Sequence, residues 1–340
     1  MANQIDKYFR YLIDNGGSDL HLSEGQPPKI RVHGSISAIE GEEVLSTDKI
    51  KSMMEEIAEP EAWKRYEAAG DLDFAYEMDE ESRFRCNYLK QSHGYACFFR
   101  LIPTKIASLE QLGIPEVVKE FGHIKSGLVL VAGPTGSGKS TTLAAIINQI
   151  NESRQSNIIT IEDPVEFIHK DKKSIVSQRE VGKQTESFAH ALKAALREDP
   201  DVILVGELRD LETIGMALTA AETGHLVFGT LHTSGAPNTI NRIIDVFPPE
   251  QQGQIRAQIA ESLKMVVTQK LFKKKDGSGR IGAFEVMVCN APIKNLIREA
   301  KIHQIPSVMQ TAQREGMMTM EKSIEDLIGT GVISNAEKNN

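Results

Sequence analysis

The 340-residue sequence predicts an α/β fold of two domains, a mixed α/β domain followed by a domain built on a parallel sheet. Helical stretches and six short strand candidates fill residues 1–103. Apolar and polar residues alternate along these strands, which is typical of antiparallel sheets with one solvent-exposed face. Prolines bracket a linker at residues 104–113. From residue 114 to residue 340, strands alternate with helices, which is typical of a parallel sheet with crossover helices.

Composition and charge exclude several classes of protein. Apolar residues make up 40% and charged residues 25%, as in ordinary globular proteins. Residues 1–105 carry 13 Lys and Arg against 19 Asp and Glu, and the remainder carries 26 against 28. Neither part has the basic excess of a protein that binds nucleic-acid phosphates. The three cysteines have no C-x-x-C spacing, which argues against a disulfide framework or a four-cysteine zinc site.

The sequence also argues against membrane insertion. No apolar run approaches the roughly 18 residues needed to cross a bilayer. The first ten residues lack the apolar stretch of a secretory signal. We therefore expect a cytoplasmic protein.

The first domain begins with a helix that ends at Gly16-Gly17. Short strands are predicted at 19–22, 29–32 and 35–39. One helix follows from Thr47, the predicted N-cap, to Ala69, and Gly70 closes it. Three antiparallel strands are then predicted at 72–76, 83–88 and 95–101.

Three arginines lie on these last strands, Arg83, Arg85 and Arg100. Two interpretations stay open. In the first, the arginines pair with local acids on a solvated sheet face. In the second, they stabilise a γ-phosphate in trans, because a planar guanidinium binds spread phosphate charge well.

The second domain is organised around residues 129–142, an apolar strand that runs into a glycine-rich turn and then a helix. Gly133, Gly138, Lys139 and Ser140 fill the G-x-x-x-x-G-K-[ST] spacing of a P-loop. In that motif, backbone N–H groups surround the phosphates, the lysine reaches the β and γ oxygens, and the serine holds Mg²⁺. The predicted ATP-binding residues are Gly133, Pro134, Thr135, Gly136, Ser137, Gly138, Lys139, Ser140 and Thr141.

Three more strands, at 158–162, 202–206 and 226–231, are each followed by polar residues at the edge where open α/β sheets bind ligands. Glu162 and Asp163 lie at the end of the first. Carboxylates at that edge can hold Mg²⁺ through its waters, whereas the alternative is that Glu-Asp-Pro forms only a turn.

The second of these strands delivers Glu207 to the same edge and is the predicted Walker B strand. Gly206 stands where an Asp usually takes the metal, so Mg²⁺ must rely on Ser140, the phosphates and the carboxylates at 162–163. Glu207 is then available as the general base that polarises the attacking water. The alternative is that Glu207 only caps the helix that starts near Asp210.

Two histidines, His225 and His232, lie at opposite ends of the third strand. Seven residues of strand span about 20 Å, so the two side chains cannot share a metal. His232, at the nucleotide edge, is predicted to sense phosphate. His225 is the second candidate for the catalytic set, with a structural or interface role as the alternative.

Four segments, in this order, resemble the secretion ATPase superfamily of type II secretion and type IV pilus motors. They are the P-loop, the Glu-Asp-Pro segment at 162–164, the Walker B strand before Glu207 and the strand between the two histidines. The resemblance covers nearly the whole chain. Residues 18–22 resemble the opening of that family's PAS-like N-terminal domain, and residues 83–100 resemble its arginine segment. The resemblance implies a PAS-like domain, a RecA-like ATPase domain with C-terminal helices, and ATP and Mg²⁺ as cofactors. It also implies a homohexamer in which the arginines approach a neighbour's ATP.

Within the superfamily, residues 292–299 are similar to the Ala-Ile-Arg-Asn-Leu-Ile-Arg-Glu motif of the PilT family of pilus retraction ATPases. Six of eight positions match, and Pro292 and Lys294 differ. Pilus-extension and type II secretion ATPases, the alternative, typically carry an extra N-terminal domain and a four-cysteine metal segment. The sequence shows neither.

The resemblance implies a motor that drives type IV pilus retraction and twitching motility at the cytoplasmic face of the inner membrane. A platform protein of the pilus machine would be its partner and its only link to the membrane, with no direct nucleic-acid contact. A nucleic-acid translocase on the same core is the alternative of another class, and the acidic balance argues against it. A non-catalytic ATP sensor is a third hypothesis, and the presence of Lys139, Ser140 and Glu207 argues against it.

Overall fold

The computed structural model describes residues 3–32, 34–79, 82–102 and 105–336. The chain forms two compact units, Met1–Lys105 and Ile106–Asn340, and the predicted two-domain α/β class is confirmed. The predicted domain boundary at residues 103 and 104 lies outside the described residues, so the extents of the domains and linker stay predictions. In the described ranges, no helix is long and apolar enough to cross a bilayer.

The first unit combines three helices with an antiparallel sheet. The helices are α1 (Asp6–Asp14), α2 (Thr47–Ile57) and α3 (Pro60–Ala69). The strands are β1 (Asp19–Ser23), β2 (Lys29–Val32), β3 (Ser35–Ala38), β4 (Asp71–Asp79), β5 (Ser82–Gln91) and β6 (Gly94–Ile102). Their order in the sheet is β3-β2-β1-β6-β5-β4. Apolar residues of the helices and of alternate strand positions form one core, so the other strand positions are left for polar side chains.

The helix predicted from Thr47 to Ala69 is two helices. Glu59 has an extended backbone because Pro60 follows it, and a residue before proline disfavours the helical conformation. Pro60 itself begins α3, where its missing N–H costs nothing. The N-cap of α2 is Ser46, not Thr47, and its side chain accepts a hydrogen bond from the backbone three residues further on.

The second unit is a seven-stranded sheet with helices around it. Its strands are β7 (Gly127–Ala132), β8 (Asn157–Glu162), β9 (Ile175–Glu180), β10 (Val202–Val205), β11 (Leu226–Leu231), β12 (Leu263–Lys273) and β13 (Arg280–Val288). Its helices are α4 (Glu116–Glu120), α5 (Lys139–Ser153), α6 (Phe188–Ala195), α7 (Leu211–Glu222), α8 (Ala236–Asp245), α9 (Pro249–Ser262), α10 (Ala291–Arg298), α11 (Ile305–Thr311) and α12 (Met320–Gly329).

The strand order is β13-β12-β7-β11-β10-β8-β9, and every neighbouring pair from β12 to β9 is parallel. Strand β13 returns antiparallel to β12. Alternate residues of β7, β10 and β11 enter two separate cores, and these three strands are buried along their whole length. Burial on both faces explains why they appear in the sequence as unbroken apolar runs.

This unit differs from expectation in one helix and one strand. The apolar spacing of Ile255, Ile259, Leu263 and Val266 predicts a helix that starts at Pro249 and continues to Val266. That extent is wrong, because α9 ends at Ser262 and Leu263 and Val266 lie in β12. Short apolar runs fit a helix or a buried strand equally well, so periodicity alone does not separate them. Strand β9 is absent from the prediction because it is a polar edge strand, on which Ile175 is 64% exposed.

Candidate active site

Four neighbouring parallel strands bring the predicted residues of the second unit to one sheet edge. Strands β7, β11, β10 and β8 lie side by side in that order. The P-loop follows β7, His232 follows β11, Glu207 follows β10, and Glu162 ends β8. Because the carboxyl ends of parallel strands meet at one edge, these groups from four distant parts of the sequence share one site.

The P-loop backbone is held tightly against β12. A Cβ at Gly133, where φ is 148°, would lie 2.5 Å from the Gln269 carbonyl oxygen. A Cβ at Gly138, where φ is 91°, would lie 2.8 Å from Nε2 of the same residue. The Gln269 side chain also accepts a hydrogen bond from Thr142 Oγ1 at 2.8 Å. Glycine is therefore required at Gly133 by backbone conformation and by space, and at Gly138 by backbone conformation.

The loop offers groups that suit a phosphate. Lys139 Nζ donates to the carbonyl oxygens of Gly133 and Pro134 at 2.8 and 3.1 Å. Burial lowers the pKa of Lys139, although Glu207 and Glu166 oppose this shift. Among the described residues, the buried Ser137 Oγ has no hydrogen-bond partner. A cation, an unpaired hydroxyl and the start of α5 together fit a phosphate group.

Beside Ser140 lies a cavity of about 80 Å³. The residues that line it are Ser140, Glu162, Asp163, Pro164, Glu166, Phe188, Gly206, Glu207 and Arg209. Both predicted metal-binding residues and both predicted catalytic carboxylates thus face one space. Within the described ranges, no three His, Cys, Asp or Glu side chains form a ready metal cluster. A metal held here would therefore need phosphate oxygens or waters to complete its coordination.

Glu207 is held from two sides. Its Oε1 accepts from Arg209 Nε at 2.6 Å, and its Oε2 lies 3.4 Å from His232 Nε2. Burial alone would raise the pKa of Glu207, but the hydrogen bond and charge of Arg209, together with His232, lower it below its ordinary value. Glu207 is consequently a carboxylate that stays ionised at neutral pH.

The alternative role for Glu207 as a helix cap is wrong. Asp210 is the N-cap of α7 and accepts a hydrogen bond from the Thr213 backbone N–H at 2.8 Å. The cap position is therefore filled, and Glu207 is directed to the cavity instead.

Gly206 is a position of close approach between β10 and β8. A Cβ there would lie 3.1 Å from the Ile161 carbonyl oxygen and 3.2 Å from Glu162 Cα. The Gly206 N–H donates to that same carbonyl oxygen at 2.7 Å, and Thr230 Oγ1 donates to the Gly206 carbonyl. This close approach favours a residue without a side chain before Glu207.

Glu162 is half-buried and hydrogen-bonded. Its Oε1 accepts from Thr160 Oγ1 at 2.6 Å and from Gln178 Nε2 at 3.2 Å. Burial raises the pKa of Glu162, and the two donors limit the rise without reversing it. The pKa values of Glu162 and Glu207 are therefore moved in opposite directions, which is how two carboxylates in one site are given different roles.

The two histidines have separate surroundings. His232 contacts Glu207, whereas His225 lies at the other end of β11. His225 Nδ1 is 2.9 Å from the Ala220 carbonyl oxygen and 3.3 Å from Thr223 Oγ1, at the end of α7. The structure thus places His232, and not His225, beside the predicted catalytic carboxylate Glu207.

The arginines of the first unit lie on β5 and β6, where Arg85 and Arg100 are direct cross-strand neighbours. Arg100 Nε donates to Asp19 Oδ1 at 2.8 Å, and Arg85 Nε lies 3.6 Å from Asp73 Oδ1. The Arg100 side chain is nevertheless 71% exposed. Pairing with local acids is therefore present, and the role of Arg83, Arg85 and Arg100 in trans stays a prediction.

Comparison with known proteins gives the family. The family model described as type II/IV secretion system protein matches residues 1–339. The twitching motility protein of Neisseria gonorrhoeae is 50% identical over 90% of this chain and 82% of its own length. The chain belongs to the type II/IV secretion system protein family.

Within this family the chain belongs to the PilT branch. The type IV pilus retractation ATPase PilT of Pseudomonas aeruginosa is 47% identical over 97% of this chain and 95% of its own length. The crystal structure of the pilus retraction motor PilT with bound ADP superposes with a TM-score of 0.91 at 44% identity. That superposition covers 99% of this chain and 96% of the other.

The segment similar to the PilT motif forms α10. Pro292 is exposed in the first turn, where a proline is tolerated, and Asn290 is the N-cap. Ile293 and Ile297 are fully buried, so the matching apolar residues are the ones that pack. The two departures from the PilT motif, Pro292 and Lys294, leave this packing intact.

Three site residues escape prediction from the sequence. Arg209 could have been found, because it follows Glu207 by two residues at the same sheet edge. Gln178 lies on the strand that was not predicted, and Gln269 is 127 residues from its partner Thr142. No local pattern could have revealed those two contacts.

His169, in the loop after Glu162, is a buried histidine that should make the protein acid-sensitive. Burial lowers the pKa of His169 to about 4, from an ordinary value of 6.5. Between these values the unfolded chain binds the proton and the folded chain does not, so stability is lost as pH falls through this window. The free energy of unfolding should fall for both proteins when the pH is lowered from 7 to 5. We expect this fall to be about 2 kcal/mol smaller for His169→Leu than for wild type.

Urea denaturation at the two pH values measures this difference. His303→Gln, at an exposed site, is the control and should behave like wild type. Equal losses in wild type and His169→Leu would contradict the prediction.

Proposed function

We propose that this chain is an ATPase that drives retraction of type IV pili and so supports twitching motility. The observation that carries the proposal is the convergence of a P-loop, Ser140, Glu162 and Glu207 on one cavity edge. A P-loop alone indicates only a nucleotide-binding protein. The two carboxylates with opposite pKa shifts add the means to position and activate a water. The similarity to proteins named for retraction and twitching supplies the direction of the motor.

The residues divide into binding and catalytic groups. ATP would lie on residues 133–141, with Lys139 at the β and γ phosphates. Ser140 and Asp163 would hold Mg²⁺, which neutralises phosphate charge when bound. Glu207 accepts the proton of the attacking water, and Glu162 orients that water or the waters of the metal. His232, next to Glu207, senses the γ-phosphate.

The proposal also covers how copies of the chain assemble. Six copies would form a ring in which Arg83, Arg85 and Arg100 approach the ATP of a neighbouring copy. The exposed Arg100 guanidinium supports this, because an exposed cation can exchange a local acid for a phosphate. The ring would act at the cytoplasmic face of the inner membrane on a platform protein of the pilus.

Gene deletion with complementation tests the direction of the motor. We expect the deletion strain to lose twitching and to carry excess surface pili, and we expect the wild-type gene to reverse both changes. Loss of surface pili would indicate an extension motor instead. ATP hydrolysis by the purified protein, assayed with and without DNA, is the second measurement. Stimulation by DNA with a steep salt dependence would favour a nucleic-acid translocase.

A further inference from the structure

Every hydrogen-bonding group of the Gln178 side-chain amide is used. Nε2 donates to the Phe167 carbonyl oxygen at 2.8 Å and to Glu162 Oε1 at 3.2 Å. Oε1 accepts from the His169 backbone N–H at 2.8 Å. The two neighbours of the nitrogen are acceptors and the neighbour of the oxygen is a donor, so the amide fits in only one orientation.

The loop at 164–171, which Gln178 contacts, is fixed along the edge strand β9. Glu180 Oε2 accepts from the Val165 backbone N–H at 3.0 Å. Asp171 Oδ1 accepts from the Val176 backbone N–H at 2.9 Å. With the two bonds made by Gln178, side chains hold this loop at successive points along β9. Gln178 alone among these contacts also reaches Glu162.

Glu162 Oε1 receives two side-chain donors, one from its own strand and one from β9. Thr160 Oγ1 is at 2.6 Å and Gln178 Nε2 is at 3.2 Å. Two donors from different directions fix the plane of a carboxylate more strictly than one. The orientation of Glu162 is therefore set in part by β9, which is not one of the four strands that carry the rest of the site.

We propose that Gln178 is a positioning residue for Glu162, which it orients toward the nucleotide while it anchors the loop at 164–171. The inference rests on the proposed function, in which Glu162 acts on water or on the metal. Gln178 would thus be a residue of the edge strand β9 that supports catalysis. Gln178 does not line the cavity, so it acts through Glu162 and not on the substrate.

Dependence on Glu162 gives this role a specific signature. Glu162 lines the cavity, whereas Gln178 does not. If Gln178 acts through Glu162, its removal should lower kcat only while the Glu162 carboxylate is present. A residue that only supports the loop at 164–171 should lower kcat by the same factor whether or not that carboxylate is present.

The experiment compares kcat and KM for ATP hydrolysis in the presence of Mg²⁺. Gln178→Met keeps the length of the side chain and removes the amide. It should lower kcat about 10-fold and leave KM for ATP unchanged, as should Thr160→Val, which removes the other donor to the same oxygen. In a Glu162→Gln background, Gln178→Met should lower the remaining turnover no further.

Asp171→Ala is the matched control, because it loosens the same loop without touching Glu162. Its kcat and KM should equal those of wild type. A thermal melt of each variant establishes that it is folded. If Gln178→Met lowered kcat by the same factor in the Glu162→Gln background, or if its kcat equalled that of wild type, Gln178 would be only a structural support.

Different results would contradict the proposed function. A wild-type protein without ATP turnover, or a Glu162→Gln variant with normal turnover, would overturn the role of Glu162 itself. Normal wild-type turnover, strongly lowered turnover of Glu162→Gln and wild-type kcat of Gln178→Met would overturn the inference about Gln178 alone.

Discussion

Glu207→Gln should leave ATP binding intact and lower ATP turnover by about 10²- to 10⁴-fold. The amide keeps the shape of the carboxylate and can still accept the hydrogen bond from Arg209, so the surrounding geometry is preserved. It cannot accept a proton from water at neutral pH. The exposed position of Arg209, at 67% of its side-chain surface, means that weakening this ion pair costs little stability. Phosphate release gives kcat, and equilibrium titration gives the Kd for ATP.

Glu212→Gln is the control for this experiment, because Glu212 is an exposed carboxylate in the first turn of α7, five residues further along the chain. Its turnover should equal that of wild type. Turnover by Glu207→Gln within a few-fold of wild type would show that another group is the base, and Glu162 would be the next candidate. A parallel loss of ATP affinity would point to a binding role for Glu207 instead.

The sequence was most informative where burial is complete. Strands β7, β10 and β11 are buried on both faces, so every residue in them is selected for the core and the runs are unmistakable. The polar residue that follows each run is fixed by the strand's end, which is why Glu207 and His232 could be placed beside the P-loop in advance. The order of strands could not be read from the sequence, because it depends on packing between distant segments.

Prediction failed where local and tertiary preferences compete. Strand β9 has mostly polar residues without apolar alternation, and only its pairing with β8 makes it a strand. The residue before Pro60 breaks one predicted helix, and this break could have been recognised from proline chemistry alone. The change from α9 to β12 at Leu263 could not, since apolar residues continue across it.

The residues that orient the groups of the site were not predicted from the sequence. Gln178 and Gln269 bind Glu162 and Thr142 through side-chain amides that come from other strands. Such contacts have no sequence spacing, because they are set by the order of strands in the sheet. The reacting groups of an active site can therefore be recognised from motifs, whereas the residues that orient them require the fold.

Lys139→Gln should weaken ATP binding by about 10- to 100-fold, because a charge-assisted contact with the phosphates is lost. The lysine is buried and already directed at the loop, with Nζ on the Gly133 and Pro134 carbonyl oxygens. A phosphate that enters the loop offers that ammonium group a stronger, charged acceptor. Glutamine can replace the hydrogen bonds to the carbonyl oxygens in part, but it carries no charge.

The same titration and turnover assays as for Glu207→Gln separate the two roles. Both variants should lose turnover, but only Lys139→Gln should lose affinity. Lys193→Gln, at an exposed position near the end of α6, controls for a general loss of positive charge and should bind ATP like wild type. If Lys139→Gln bound ATP with wild-type affinity, the ammonium group would have to remain on the two carbonyl oxygens in the bound state. Lys139 would then stabilise the empty loop and not the nucleotide.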